Sequence, residues 1–407
     1  MLGLEAGTQA GPELVNGASE EKVPPPAIRV LTLTPFYPNA SNPAEGCFIA
    51  EPLRPMQEFG VIPSVLAVQP LHRSSSRLHA GPPAATWVRY ASVPGAIGLA
   101  STGRFLYASL ISKVRKLHRS QRIDLIHAHA ALPCGHAAML LSRELEIPFV
   151  VTVHGLDAFF DNQVRGYLSV RRSTVAQSVY RLASRVICIS GKVANKVVDN
   201  TAALSNTRVI YNSVDTEMFY PGPTDAMSDT ILSVGNLIPI KGHELLLRAL
   251  MHVLPSHPNL TCEIIGDGPE RNRLLRLARD FNINDRVHFL GRQSRKQVAD
   301  ALRRCTVFAL PSRYEGLGCV YLEAMATGKP AIACRGQGID EIIRHGRNGF
   351  LINPGSLLEL IAALTTLLDN RQLRREIGEE ARRTVLDRFT LSHQASELAA
   401  VYRECVA

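Results

Sequence analysis

The sequence predicts an α/β protein with two parallel sheets, one in each half of the chain. Three observations carry that expectation. From Ile28 onward, short β-branched or apolar runs alternate with longer amphipathic stretches. The alternation occurs twice, on either side of a Pro- and Gly-containing stretch at 212–229. Many of the apolar runs end in Gly, Pro or His, where the chain turns away from a sheet. Strand–helix–strand alternation gives parallel sheets covered on both faces. Ligands of such open sheets bind at the carboxyl edge of the strands.

Taken in order, residues 1–27 are rich in Gly, Glu, Ala and Pro and end near Pro24-Pro25-Pro26, so they read as a leader outside any core. Strands are expected at 28–34, 63–69, 123–129, 148–154, 185–190 and 208–212, with helices between several of them, among them 103–119 and 134–145. The segment from Asn212 to Asp229, which contains Pro221, Gly222 and Pro223, reads as the linker. A second set of strands follows at 231–235, 261–266, 286–291, 306–311, 329–334 and 349–354. Helices near 242–253, 270–281, 294–304, 319–328 and 356–369 fill the gaps, and two more, at about 371–388 and 391–405, close the chain. The division expected is 28–213 for the first domain and 214–385 for the second, with 386–407 as a terminal helix returning to the first.

Bulk properties narrow the class. The chain has 407 residues, long enough for two buried cores, with 46% apolar and 20% charged residues. No apolar run is long enough to span a bilayer, and the N-terminus lacks a basic region followed by an apolar stretch, so a cytoplasmic protein without a secretory signal is expected. Eight scattered cysteines lack the close pairing of a zinc site and read as reduced core thiols. The net charge of +9 calls for anionic partners, yet no nucleic-acid motif accompanies it, so no nucleic acid is expected among them.

The strongest local pattern is PSRYEGLGCVYLEAMATGKP at 311–330. A strand ends, a turn of Glu315, Gly316, Leu317 and Gly318 follows, and a helix opens whose first N–H groups can hold a phosphate. Glu315 stands at the helix mouth and Glu323 deeper along it, placed to accept hydrogen bonds from hydroxyls. A plainer account makes Ser312 and Glu315 an ordinary capping box, which leaves the glycine pair and Glu323 unexplained. A second pattern, SVGNLIPIKGHELLLRAL at 233–250, sets Asn236 and Lys241 in a loop before a helix, where a cation can balance a phosphate. The third, VTVHGLD at 151–157, puts His154 and Asp157 after a strand, and His154 can donate to a substrate oxygen or move protons near neutral pH. Isolated cases of such a lysine or histidine are usually solvated or structural. In the loop at 34–52, Gly46 permits close backbone approach to a ligand. The run IIGDGPE fails the dinucleotide fingerprint, because the third glycine falls at Arg271.

Together these residues resemble the retaining glycosyltransferases of family 4, over a match from about Ile28 to the C-terminus. The resemblance implies two facing Rossmann-like domains with parallel sheets, the GT-B architecture, and an active site in the inter-domain cleft. Glu315 and Glu323 match the family's pair of glutamates with seven residues between them, implying contacts to the transferred sugar and the ribose. Lys241 matches the diphosphate-binding lysine, and Leu317 and Gly318 would offer backbone N–H groups beside Gly316. His154 matches the histidine facing the donor sugar, with Asp157 beside it. Gly46 matches the glycine of the first loop, and Arg292 and Gln293, after Gly291, match the loop packing on the base. Asn236 departs from the arginine frequent at its position, which removes one charge from the phosphate site.

The implied reaction is transfer of a hexosyl group, with retained configuration, from a UDP- or GDP-sugar to a hydroxyl acceptor. The nucleotide sugar is a substrate, and neither cofactor nor metal is expected. A narrower similarity points to bacterial surface-polysaccharide synthesis of the teichuronic-acid type, with a sugar or lipid-linked acceptor. A nucleotide-sugar epimerase on the same fold is the first alternative, and a non-catalytic nucleotide- or nucleic-acid-binding module the second. The stretch 103–122 sets Phe105, Leu106, Leu110, Val114 and Leu117 near one helical face among basic residues. Packing on the first sheet is the favoured account, and peripheral contact with the inner membrane face the alternative.

Overall fold

The computed structural model describes residues 27–39, 42, 44–73, 84–92, 99–155, 167–201, 205–222 and 229–407. The leader expected over 1–27 lies outside these residues except for Ala27, as does Asp157.

The first half forms a seven-stranded parallel sheet from β1 (Ile28–Thr34), β2 (Val61–Pro70), β3 (Ala85–Tyr90), β4 (Leu125–His129), β5 (Phe149–Val153), β6 (Arg185–Cys188) and β7 (Thr207–Val209). Its order is β3-β2-β1-β4-β5-β6-β7. The connections carry α1 (Cys47–Ala50), α2 (Leu99–Gln121), α3 (His136–Leu145), α4 (Tyr167–Leu182) and α5 (Gly191–Thr201). The second half repeats the scheme with β8 (Thr230–Val234), β9 (Thr261–Ile265), β10 (Val287–Gly291), β11 (Val307–Ala309), β12 (Ala331–Cys334) and β13 (Phe350–Ile352), in the order β10-β9-β8-β11-β12-β13. Around them lie α6 (His243–Val253), α7 (Arg271–Asp280), α8 (Arg295–Arg304), α9 (Cys319–Ala326) and α10 (Leu357–Asp369). The chain ends in α11 (Arg371–Arg388) and α12 (Leu391–Val406).

Each sheet reverses its strand order once, between β1 and β4 and between β8 and β11. At such a point the loops leaving neighbouring strands diverge to opposite faces and open a crevice at the carboxyl edge. The loops after β1, β8 and β11 are those that carry Gly46, Lys241 and Glu315. Central strands β4, β5 and β12 are buried at every position, as expected for strands covered on both faces.

Two details differ from expectation. The start of the supposed linker is packed, with Asn212, Ser213, Val214 and Asp215 all buried. Ser213 donates to Gln394 Oε1 through N–H at 3.0 Å and through Oγ at 2.6 Å, and Asp215 Oδ2 pairs with Arg54 at 2.6 Å. Val214 bridges to Thr390, where α11 passes to α12, so the two crossings between the halves share one packed hinge. Proline and glycine mark where regular structure stops and say nothing about whether the chain there is wet. In α2, Leu106, Leu110 and Val114 are buried against the first sheet, but Phe105 is 49% exposed and faces away from the stripe. Adjacent helical residues stand about 100° apart, so Phe105 and Leu106 cannot share one narrow face. No helix among the described residues is long and apolar enough to cross a membrane.

The terminal helix α12 returns to the first half. Its Ala395, Leu398, Ala399, Val401 and Tyr402 pack in one cluster with Val30, Val61, Leu125 and Val150. Five cysteines, Cys134, Cys188, Cys262, Cys305 and Cys334, are buried, Cys47, Cys319 and Cys405 are half-buried, and among the described residues none forms a disulfide.

Candidate active site

A cavity of about 650 Å³ lies between the two sheets. Gly46, His154, Asn236, Lys241, Arg292, Gln293, Glu315, Gly316, Leu317, Gly318 and Glu323 all line it. Every site residue expected from sequence is therefore in one place, apart from Asp157, which lies outside the described residues.

The floor is the turn that follows β11. Helix α9 begins at Cys319 with Gly318 as its N-cap at φ 82°, so Ser312 does not cap the helix and the plain capping-box account does not hold. Ser312 Oγ instead donates to Glu315 Oε1 at 3.1 Å, and the Glu315 N–H donates to Gln337 Oε1 at 3.0 Å. These bonds fix the carboxylate at the mouth of α9. Gly316 is needed where the two halves touch: a Cβ there would stand 2.8 Å from the His154 carbonyl oxygen. Across that contact, Ser190 Oγ donates to Gly316 O at 2.6 Å. On the other wall, Gly46 has φ 69°, and a Cβ would lie 2.5 Å from the Phe36 carbonyl. No side chain fits, so the first loop folds tightly at the cavity edge.

Charge is concentrated in one largely covered pair and one buried triad. Lys241 Nζ sits 2.5 Å from Glu315 Oε1, with both side chains largely covered. Deeper in, the guanidinium of Arg295 bonds Glu323 Oε1 on α9 and also both carboxylate oxygens of Glu51 at 2.9 Å, in the first half of the chain. Burial opposes the charge of Arg295, but Glu323, Cys47 and Glu51 outweigh it and hold the group firmly protonated. Burial also raises the Glu51 carboxyl, Arg295 pulls it down, and neighbouring Glu323 pushes it up again. Neither Arg295 nor Glu51 was picked out from sequence. A signal was present: Arg295 is the first residue of α8, just behind the Ser294–Gln297 capping box, where the helix dipole disfavours a cation. A cation kept there points to a carboxylate partner elsewhere.

His154 stands beside Phe48, ring centroids 4.9 Å apart, and stacks on His129 at 5.2 Å. His154 Nε2 and His129 Nδ1 share a hydrogen bond of 3.0 Å. Behind them His127 bonds Tyr402 Oη and Thr152 Oγ1, each at 2.7 Å, so α12 closes the back of this array. Burial lowers His154 and His127 to about 3 and His129 well below its usual value. A neutral imidazole at physiological pH donates one hydrogen bond through its N–H and accepts another at its bare nitrogen.

Asn236 and Arg292 are exposed on the rim, and Gln293 is held by a bond from Nε2 to Leu290 O at 2.7 Å. Among the described residues, no group of three His, Cys, Asp or Glu side chains is placed to hold a metal ion.

Two parallel sheets facing each other across a cleft, with a helix N-terminus, a lysine and paired carboxylates inside it, define a two-domain enzyme for phosphate-bearing, hydroxyl-rich ligands. Comparison with known proteins identifies the group. The family described as Glycosyl transferases group 1 matches residues 215–384, and that described as Glycosyltransferase Family 4 matches 64–218. An uncharacterised glycosyltransferase of Methanocaldococcus jannaschii is 32% identical over 269 residues, covering 66% of this chain and 72% of that one. A Bacillus subtilis glycosyltransferase named for teichuronic acid biosynthesis is 25% identical over 402 residues, 92% of this chain and 98% of that one. The crystal structure of Anabaena HepE in complex with UDP and glucose shares the fold, with a TM-score of 0.72 at 21% identity over 92% of this chain and 99% of that chain. The chain belongs to the family 4 glycosyltransferases and has their GT-B architecture. The epimerase alternative gains no support from these relatives.

Proposed function

We propose that this glycosyltransferase moves a hexosyl group from a UDP- or GDP-sugar to a hydroxyl of a sugar or lipid-linked acceptor, with retained anomeric configuration and without a metal ion. The observation that carries the reading is the Lys241–Glu315 pair at 2.5 Å, set at the N-terminal mouth of α9 inside the inter-domain cavity. The leaving diphosphate would lie on the N–H groups of Leu317 and Gly318 and against Lys241, which supply the positive field a metal would otherwise provide. Among the described residues the second oxygen of Glu315 has no hydrogen bond, which leaves it open to sugar hydroxyls. Glu323 likewise offers its second oxygen to the ribose, and Arg292 and Gln293 flank the base. His154, neutral, would donate to a sugar oxygen. The acceptor hydroxyl would attack the anomeric carbon on the face the diphosphate leaves, passing its proton to the departing phosphate oxygen.

HepE is described in complex with UDP and glucose, which supports a UDP-sugar as the first donor to try. The test is turnover with UDP- and GDP-sugars and a glycoside acceptor, with the product anomer read by NMR. Product with the donor's configuration, formed equally with and without EDTA, is expected. An inverted product would reject retention, and a loss in EDTA restored by Mg²⁺ would reject metal independence. Glu315→Gln and His154→Ala should cut turnover at least tenfold while the melting temperature stays within a few degrees.

A further inference from the structure

A second cavity, of about 220 Å³, lies away from the cleft, between α11, the turn from α9 to β12 and the first crossing between the halves. Thr306 and Lys329 on its wall precede β11 and β12, at the amino edge of the second sheet, whereas the cleft is at the carboxyl edge. Strand β11 runs between the two sites, with Thr306 at its amino end in this cavity and the loop to Glu315 at its carboxyl end in the cleft.

The lining is strongly cationic. Lys329, Arg371, Arg374, Arg375 and Arg382 face Glu379 as the one carboxylate among the described lining residues. Lys329 is 8% exposed, and among the described residues no carboxylate or hydrogen-bond acceptor acts on its ammonium, only burial and the Cys305 thiol. A lysine buried to that degree ordinarily brings a partner. Burial lowers its affinity for a proton, the neighbouring Cys305 thiol being the main opposing influence. Arg374 and Arg382 are each anchored by one guanidinium nitrogen on backbone carbonyls, Arg374 on Leu367 and Leu368 and Arg382 on Ala326. Arg374 Nε is buried without a partner. The wall itself is rigid: Gly378 of α11 packs so closely on Gly328 that a Cβ would stand 2.1 Å from the Gly328 oxygen.

We propose that this cavity is a binding site for a small phosphate-bearing molecule, its phosphate on Lys329 and Arg382 and its remainder against Pro221 and Pro330. An anion there would satisfy Lys329 and balance the arginines, and a cavity of 220 Å³ admits a phosphate with a few carbon atoms but no nucleotide sugar. The ligand would touch both α11 and Pro221 of the crossing, so its binding would be felt at the hinge between the halves.

Calorimetric titration with glycerol 3-phosphate and with inorganic pyrophosphate tests the site, in a Lys241→Ala background that weakens phosphate binding in the cleft. That background should bind at least one of the two probes at one site per chain. Adding Lys329→Met should weaken binding at least tenfold, and Arg382→Met should do the same. Lys329→Met removes a buried charge and should melt no lower than its parent, which separates lost binding from lost folding. Failure of both probes to bind in the Lys241→Ala background overturns the proposal, as does unchanged affinity in Lys329→Met. Neither outcome touches the transferase reading, which rests on the other cavity.

Discussion

Replacing Arg295 with methionine puts the charge arrangement of the cleft to its hardest test. The guanidinium lies between Glu51 and Glu323, with side-chain exposures of 14%, 13% and 6%. Methionine keeps most of the apolar stem, which matters because the guanidinium also sits 4.7 Å from the Phe219 ring centroid. Two buried carboxylates then face each other with no cation between them. Breaking a buried pair by removing one partner typically costs about 3–5 kcal/mol. That loss is expected in urea unfolding at pH 8. The pH dependence gives a sharper signature. Burial and Glu323 already raise the Glu51 carboxyl, and removing Arg295 takes away the influence that lowers it. A carboxyl whose folded pKa lies above its unfolded value favours the folded state at low pH and loses that advantage as pH rises through the folded pKa. The gap between variant and wild type should therefore narrow on going from pH 8 to pH 5.5. Adding Glu51→Gln to Arg295→Met should recover part of the loss at pH 8. A deficit below about 1 kcal/mol, or one that widens on acidification, would refute the buried triad.

Two further outcomes are expected. Lys241→Ala should weaken nucleotide-sugar binding by up to about 150-fold, the roughly 3 kcal/mol of one charge-assisted hydrogen bond being an upper bound because Glu315 partners Lys241 in the free protein; unchanged affinity by calorimetry in a folded variant removes Lys241 from the diphosphate site. The buried histidines should make the protein acid-sensitive: His127 and His154 fall to about 3, so below pH 6.5 the unfolded chain takes up protons that the folded one refuses. Between pH 7.5 and 5.5 these two groups together should cost roughly 2.7 kcal/mol of stability. A urea midpoint that holds or rises over that range in wild type, and is unmoved by His127→Gln, contradicts the burial of the array.

What the sequence shows and hides follows from the range of the interactions involved. The turn Glu315–Gly318 and its helix are legible because strand end, glycine pair and helix start are local signals within a few residues. Lys241 is legible for the same reason. Arg295 and Glu51 escape because their meaning is a contact across 244 residues between the two halves. His129 escapes because it looks like one more buried strand residue until His154, from the next strand, is placed beside it. Among the elements, β3 was missed: it is an edge strand whose buried Val88 and Tyr90 alternate with more exposed neighbours, unlike the continuous apolar runs of the centre. The packed hinge at Asn212–Asp215 was read as linker because its partners, Arg54 and Gln394, are far away in sequence.

The two ion pairs of the cleft also change how donor binding must be counted. Lys241 and Glu315 are proposed to serve different parts of the donor, yet in the free protein each is the other's partner. Glu323, proposed for the ribose, is held by Arg295 in the same way. A buried charge left unpaired costs several kcal/mol and is pushed toward its neutral form, a cost that pairing removes in the cleft. Binding is therefore an exchange of partners: the diphosphate replaces Glu315 on Lys241, and Glu315 turns to the sugar. The net gain per contact is the difference between two charge-assisted bonds, smaller than either alone. A donor that lacks the sugar releases Glu315 from Lys241 without giving it hydroxyls to bind. The free nucleoside diphosphate should on this argument bind more weakly than the nucleotide sugar, and Glu315→Gln, which relaxes the competition for Lys241, should narrow that difference. A wild-type enzyme that prefers the free diphosphate to the nucleotide sugar would show that Glu315 does not make the exchange.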